Sequence, residues 1–172
     1  MSRITETVKH LLIINCIFFL ATSLYGNKLY DLFALHYFDN SLFQIWQPIT
    51  HMFLHGNFSH ILFNMIGLWM FGSPIEQIWG RNKFIFFYIS SGLGAAVLQM
   101  IYSHYDFNSI FEILINNGFN SEEILNTIKT RRYNTNWLNY ISEDQLNHLN
   151  ESFNLSMVGA SGALYGILVA FA

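Results

Sequence analysis

The stretch HMFLHGNFSHILFNMIGLWMFGSPIEQIWG, residues 51–80, decides the fold: it holds no charged side chain before Glu76, yet its head carries His51, His55, His60 and Asn64. From Ser59 to Trp79 it is long and apolar enough to cross a bilayer, which takes about 20 residues. Polar side chains at membrane depth are costly unless paired, so this set is a functional-site hypothesis from the outset.

The rest of the chain agrees. Charged residues make up 11% of the sequence and apolar residues 52%, against about 25% charged in an average soluble domain. None of Asp, Glu, Lys or Arg occurs between Lys9 and Lys28, between Asp39 and Glu76, between Lys83 and Asp106, or after Glu151. Each gap can hold a spanning helix, at roughly His10 to Tyr25, Ser59 to Trp79, Phe84 to Tyr102, and Val158 to the end. The fold class is therefore all-α, a polytopic membrane helix bundle. A secretory signal ending at Ala21-Thr22-Ser23 is the lesser reading of the first segment, because the uncharged run is long enough to span. Arg3 and Lys9, with Arg81 and Lys83, put the N-terminus and the second link in the cytoplasm, so the long loops and the start of the fourth segment face outward.

Cys16 is the single cysteine and lies mid-span, which leaves neither a disulfide framework nor a cysteine metal site. A net charge of −3 argues against nucleic acid as a partner. From about 103 to 157 the chain becomes Asn-rich and carries seven of its eleven acidic residues, which marks an extramembrane insertion. Three short helices are predicted there, from the capping pairs Ser109 with Glu112, Asn120 with Glu123, and Ser142 with Gln145. Their apolar faces are Ile124, Leu125 and Ile128 in one, and Leu146, Leu149 and Phe153 in another.

His60 and Asn64 are four apart, so on a helix both project from one face and can donate to a common point. Preorganised donors aimed where negative charge develops form an oxyanion hole; equally, such a pair glues membrane helices together. Ser161 stands between Gly159 and Gly162 at the start of its helix, where close approach is easy and unpaired amides favour an anion. Against this, Gly162 and Gly166 form a GxxxG packing pair. His51 and His55 have zinc-like spacing, but Met52-Phe53-Leu54 between them offers no glutamate, and no metal is expected. His10, His36, His104 and His148 show no partner pattern. The chemistry these residues point to is peptide-bond hydrolysis inside the membrane.

Taken together, His51-x-x-x-His55-x-x-x-x-His60-x-x-x-Asn64 and the downstream Gly159-x-Ser161-Gly162 resemble the rhomboid family of intramembrane serine proteases, from about Trp46 to Tyr165. The resemblance implies a serine endopeptidase of six transmembrane helices, four of them present here, acting without a cofactor on transmembrane protein substrates within the lipid bilayer. It implies Ser161 as nucleophile, with His60, Asn64 and the Ser161 amide as oxyanion hole. His55 then supports the outer loop, Tyr165 stacks on the catalytic histidine, and His51 lies on the water route. The family often has Trp-Arg where this chain has Trp46-Gln47. Its catalytic histidine lies in a sixth helix, whereas this sequence stops within the fourth. The expectation is thus a single rhomboid membrane domain over 1–172, truncated and by itself inactive, in a bacterial inner membrane. A pseudoprotease that binds transmembrane clients without cutting them is the alternative.

Overall fold

A computed structural model describes residues 3–172. It divides into two units. One joins the N-terminal stretch through Leu35 with Gln44–Val97 and Met157–Ala172; the other comprises His36–Phe43 and Leu98–Ser156. The chain passes between them at two short strands, β1 (Leu35–His36) and β2 (Ser156–Met157), and within one long helix.

The first unit is built from apolar helices. Helix α1 (Glu6–Tyr25) buries Thr7, Asn15 and Thr22 while exposing Ile13, Ile17, Leu20 and Leu24. Apolar outside and polar inside is stable only where the surroundings are hydrocarbon, because the polar side chains then find partners within the protein. The buried Asn15 amide donates to the Leu11 carbonyl at 2.7 Å. Helix α1 begins at Glu6, four residues before the predicted start, for a specific reason. The Thr5 side chain does not cap it; instead the Glu76 carboxylate accepts from the amides of Thr7 (3.2 Å) and Val8 (3.1 Å), and from the Thr5 hydroxyl. A carboxylate at a helix N-terminus satisfies orphan donors and complements the dipole.

The loop that follows contains α2 (Asn27–Phe33) and α3 (Gln47–Thr50), which the sequence did not reveal. Side chains stitch them to distant carbonyls. Trp46 donates to Leu32, Thr50 to Phe33, and the Tyr30 hydroxyl to His55. Gln47, standing where the family often has arginine, is buried and donates to the carbonyls of Asp31 and Leu32. A neutral amide thus supplies an anchor at that position.

The second span starts as α4 (Phe58–Gly67), widens to a π turn over Leu68–Gly72, and finishes as α5 (Ser73–Trp79). Asn57 caps it, accepting from the His60 amide at 2.8 Å. Gly80 ends it at φ +78, a left-handed conformation suited to glycine, and α6 (Arg81–Asn116) starts at once. Helix α6 runs on to Asn116, past the Tyr102 at which the third apolar segment is expected to end. The predicted cap at Ser109 is also wrong, for that residue is helical and its hydroxyl bonds back to the Asp106 carbonyl at 2.8 Å. Helix α9 (Ser161–Phe171) is apolar and eleven residues long.

The second unit has its own core of Tyr37, Phe107, Leu114, Ile128, Trp137 and Leu149 with their neighbours. Asn120 caps α7 (Ser121–Lys129), and Ser142 with Gln145 forms a reciprocal capping box on α8 (Glu143–Phe153), both as predicted. Asp106 on α6 accepts from Ser152 of α8 at 2.6 Å and lies 3.2 Å from the His148 ring. His104 likewise pairs with the Tyr37 hydroxyl at 2.8 Å. Two histidines without a sequence pattern therefore serve as polar fasteners of the insertion.

The shared clamp on α1 yields a test. Glu76→Gln leaves one acceptor oxygen where two meet three donors, and should cost about 1–3 kcal/mol. Thermal unfolding in detergent should show a clear drop in midpoint, larger than that for Thr5→Val.

Candidate active site

Ser161 and Asn64 line one cavity of about 250 Å³. Its wall continues with Phe63, Gly67 and Leu164, and with Tyr165 one turn after the serine. Asn64 is buried; its side-chain N–H donates to the His60 carbonyl at 2.8 Å, and its Oδ1 has no partner. One amide proton is thereby fixed by the helix, and the second remains for a ligand.

His60 is half-buried on the first turn of α4. Its Nδ1 accepts from the Gly56 amide at 3.4 Å, which places the proton of the neutral ring on Nε2 and makes that nitrogen a donor. The ring lies against the backbone two residues before Ser161. A Cβ on Gly159 would sit 2.6 Å from Nε2. Gly159 also has φ +117, and its amide donates to the His51 carbonyl at 2.9 Å. Glycine is required there twice over, by conformation and by the imidazole.

Helix α9 presents its first turn uncapped. Ala160 occupies the N-cap without a side-chain bond, so the amides that follow are open to an anion. The packing pair uses a different face of the same helix. A Cβ on Gly162 would collide with Ala95 of α6, and one on Gly166 with Ser91. Gly162 and Gly166 seat α9 on α6, while Ser161, Leu164, Tyr165 and Leu168 face the cavity. Tyr165 is largely exposed, at 70%.

His51 and His55 are not on a continuous helix, because a tight turn at His51–Phe53 gives way to extended backbone at Leu54. The i, i+4 premise for zinc fails for that reason. Among the described residues no group of three or more His, Cys, Asp or Glu is placed to hold a metal ion. The His51 ring lies 3.0 Å from the Gln47 carbonyl. His55 is fully buried, meets His60 edge-on at 5.0 Å between ring centroids, and has no hydrogen-bond partner at either ring nitrogen.

Burial first, and then the neighbouring His60, push His55 down to about 4, with the Phe53 carbonyl acting weakly in the opposite sense. His51 is also pushed below its ordinary value by burial. The folded state therefore resists protonation that the unfolded chain accepts. The stabilising contribution of a neutral His55 is full above about pH 6.5 and is lost as pH falls from there towards 4, up to about 3 kcal/mol. Unfolding midpoints measured in detergent at neutral and at acidic pH should show this slope, and His55→Gln should flatten it.

A rhomboid domain model matches residues 42–172, which is most of the chain. The chain belongs to the rhomboid family. Among similar proteins, the rhomboid protease GlpG of Salmonella choleraesuis (strain SC-B67) is 32% identical over 98 residues, covering 56% of this chain and 36% of that protein. The rhomboid protease GlpG of Salmonella newport (strain SL254) is 33% identical over 86 residues, or 49% of this chain and 31% of its own length. The match thus spans about a third of the curated relatives. Family and apolar helices together make this an integral membrane protein, a helical bundle of the rhomboid type. Three of its helices are long and apolar enough to cross a membrane.

The sequence missed two glycines that allow close packing in this rhomboid, one of them, Gly67, in the cavity wall. Gly67 approaches Leu164 of α9, where a Cβ would lie 3.6 Å from the leucine side chain. Met52 fills the space that a Cβ on Gly92 of α6 would take, 2.4 Å from the methionine methyl carbon. Neither glycine carries a signal beyond its smallness.

Proposed function

We propose that the protein is an intramembrane serine endopeptidase that cleaves transmembrane helices, with Ser161 as nucleophile and with His60, Asn64 and the Ser161 amide as the oxyanion hole. The observation that carries this reading is that Ser161 and Asn64 face one cavity, while the His60 ring packs against the glycine two residues before the serine.

The chemistry follows in order. A substrate helix unwinds locally and presents a carbonyl in the cavity beside Ser161. Serine hydroxyl is a poor nucleophile unless a base removes its proton. The resemblance implies that this base is a histidine of the family's sixth helix, while His60, whose Nδ1 accepts from the Gly56 amide, serves as a donor. The serine oxygen then attacks the carbonyl, and the oxyanion meets the Asn64 amide, the His60 Nε2–H and the open first turn of α9. The protonated base passes its proton to the leaving amine, and water hydrolyses the acyl-enzyme. Water enters from the outer side, past His51 and His55, and Tyr165 stacks on the base. On this reading residues 1–172 form one rhomboid membrane domain, with the insertion at about 103–157. It sits in a bacterial inner membrane, with the N-terminus in the cytoplasm and the site opening outward.

Reconstitution of the full-length gene product with a single-span model substrate tests this. Cleavage within or beside the substrate's membrane segment is the expected result. Stable association without any cleavage product would identify a pseudoprotease instead.

A further inference from the structure

Helix α7 closes with a doubly bonded turn: the Arg131 amide donates to Ile128 at 2.8 Å, and the Arg132 amide to Thr127 at 3.1 Å. Such an ending turns one residue into the left-handed region, where glycine is the usual choice. Here that residue is Arg131, at φ 52, the single non-glycine residue with positive φ among the described residues. The chain keeps an arginine side chain where its backbone favours none. Strain of this kind at an exposed position points to a use for the side chain.

Its surroundings say what the use is. Lys129, Arg131 and Arg132 are the whole positive charge of the insertion, which otherwise carries seven carboxylates. All three are exposed, and none makes an ion pair within 4.0 Å among the described residues. Arg132 shares a polar groove with Glu122 and Glu123; Lys129 and Arg131 stand outside it. Tyr133 follows directly and is 59% exposed, as is Tyr140 at 49%.

We propose that the turn from Lys129 to Tyr133 is a docking surface for anionic phospholipid headgroups of the bilayer that the chain itself spans. Guanidinium groups bind phosphate through paired hydrogen bonds, and tyrosine settles at headgroup depth. A bilayer is favoured over an acidic protein because the insertion is continuous at both ends with apolar helices, α6 and α9, of an integral membrane protein, so lipid is always present at high effective concentration.

The test uses the full chain with Cys16→Ser and a fluorophore on Asn136→Cys, reconstituted in phosphatidylcholine alone or mixed with phosphatidylglycerol, each carrying a headgroup quencher. Quenching should be stronger with phosphatidylglycerol and should weaken as salt is raised. Affinity for the anionic lipid should fall about fivefold for each charge removed by Lys129→Gln, Arg131→Gln and Arg132→Gln. Arg131→Gly provides the control for folding: it should raise the unfolding temperature while weakening the lipid effect. Equal quenching in both bilayers, or quenching that survives the triple substitution, would overturn the proposal. So would absence of quenching in either bilayer, the outcome expected of a patch that meets an acidic protein. Competition by millimolar glycerol phosphate would show a free-phosphate site and would overturn it as well.

Discussion

Ser161→Ala in the full-length gene product should abolish cleavage of a transmembrane substrate, with a fall of at least about 10³-fold, while thermal stability changes by less than about 1 kcal/mol. The asymmetry follows from where the hydroxyl lies. Ser161 lines the cavity, whereas the face that seats α9 on α6 belongs to Gly162 and Gly166. A residue that only glued helices together would show the reverse, with substantial destabilisation and no specific loss of turnover. Asn64→Ala should cost less, about 10²-fold, because one donor of several is removed.

Gly159→Ala should be the most damaging change outside the nucleophile. Its φ of +117 lies where side chains are strained by about 1–3 kcal/mol, and the new methyl would stand 2.6 Å from His60 Nε2. Either the imidazole swings away, or the loop lifts and breaks the 2.9 Å bond from the Gly159 amide to the His51 carbonyl. Both displace an oxyanion donor relative to Ser161, so turnover should fall by about 10²-fold or more on top of the loss of stability. Measuring kcat and the unfolding midpoint on the same preparation separates the two contributions. A Gly159→Ala protein with unchanged turnover would mean that His60 has no part in the chemistry.

The membrane spans were legible because charge is a strong signal in hydrocarbon, and the uncharged gaps matched the helices α1, α4 with α5, and the first half of α6. Helix ends were less so. Asp106 and Glu112 mark the end of the uncharged run, but α6 continues through both, and Asp106 bonds Ser152 and lies beside His148. Capping pairs succeeded where the residue before them was free to leave the helix, at Asn120 and Ser142, and failed at Ser109, which an established helix absorbed. The loop between α1 and α4 was illegible for another reason. Its short helices rest on side-chain bonds to carbonyls many residues away, such as Trp46 to Leu32 and Tyr30 to His55, and no local pattern encodes these.

At the site, spacing alone placed His60 above Asn64, since four residues make one turn of helix. It could not bring either of them to Ser161, about a hundred residues on. That juxtaposition depends on the small residues of α6 and α9 and on a glycine whose missing side chain makes room for an imidazole. Only the motif as a whole, met in a known family, joined the two halves. The cap of α1 by Glu76 was likewise invisible, because a carboxylate at the end of one span announces nothing about the start of another.

The most direct measurement is to treat the full-length gene product, reconstituted in lipid, with a fluorophosphonate and to locate the adduct by peptide mass spectrometry. The account predicts a single modified residue, Ser161, with labelling lost in Ser161→Ala and slowed in His60→Ala and Asn64→Ala. Cleavage activity that persists with Ser161 unmodified, or an adduct on another serine, would contradict it.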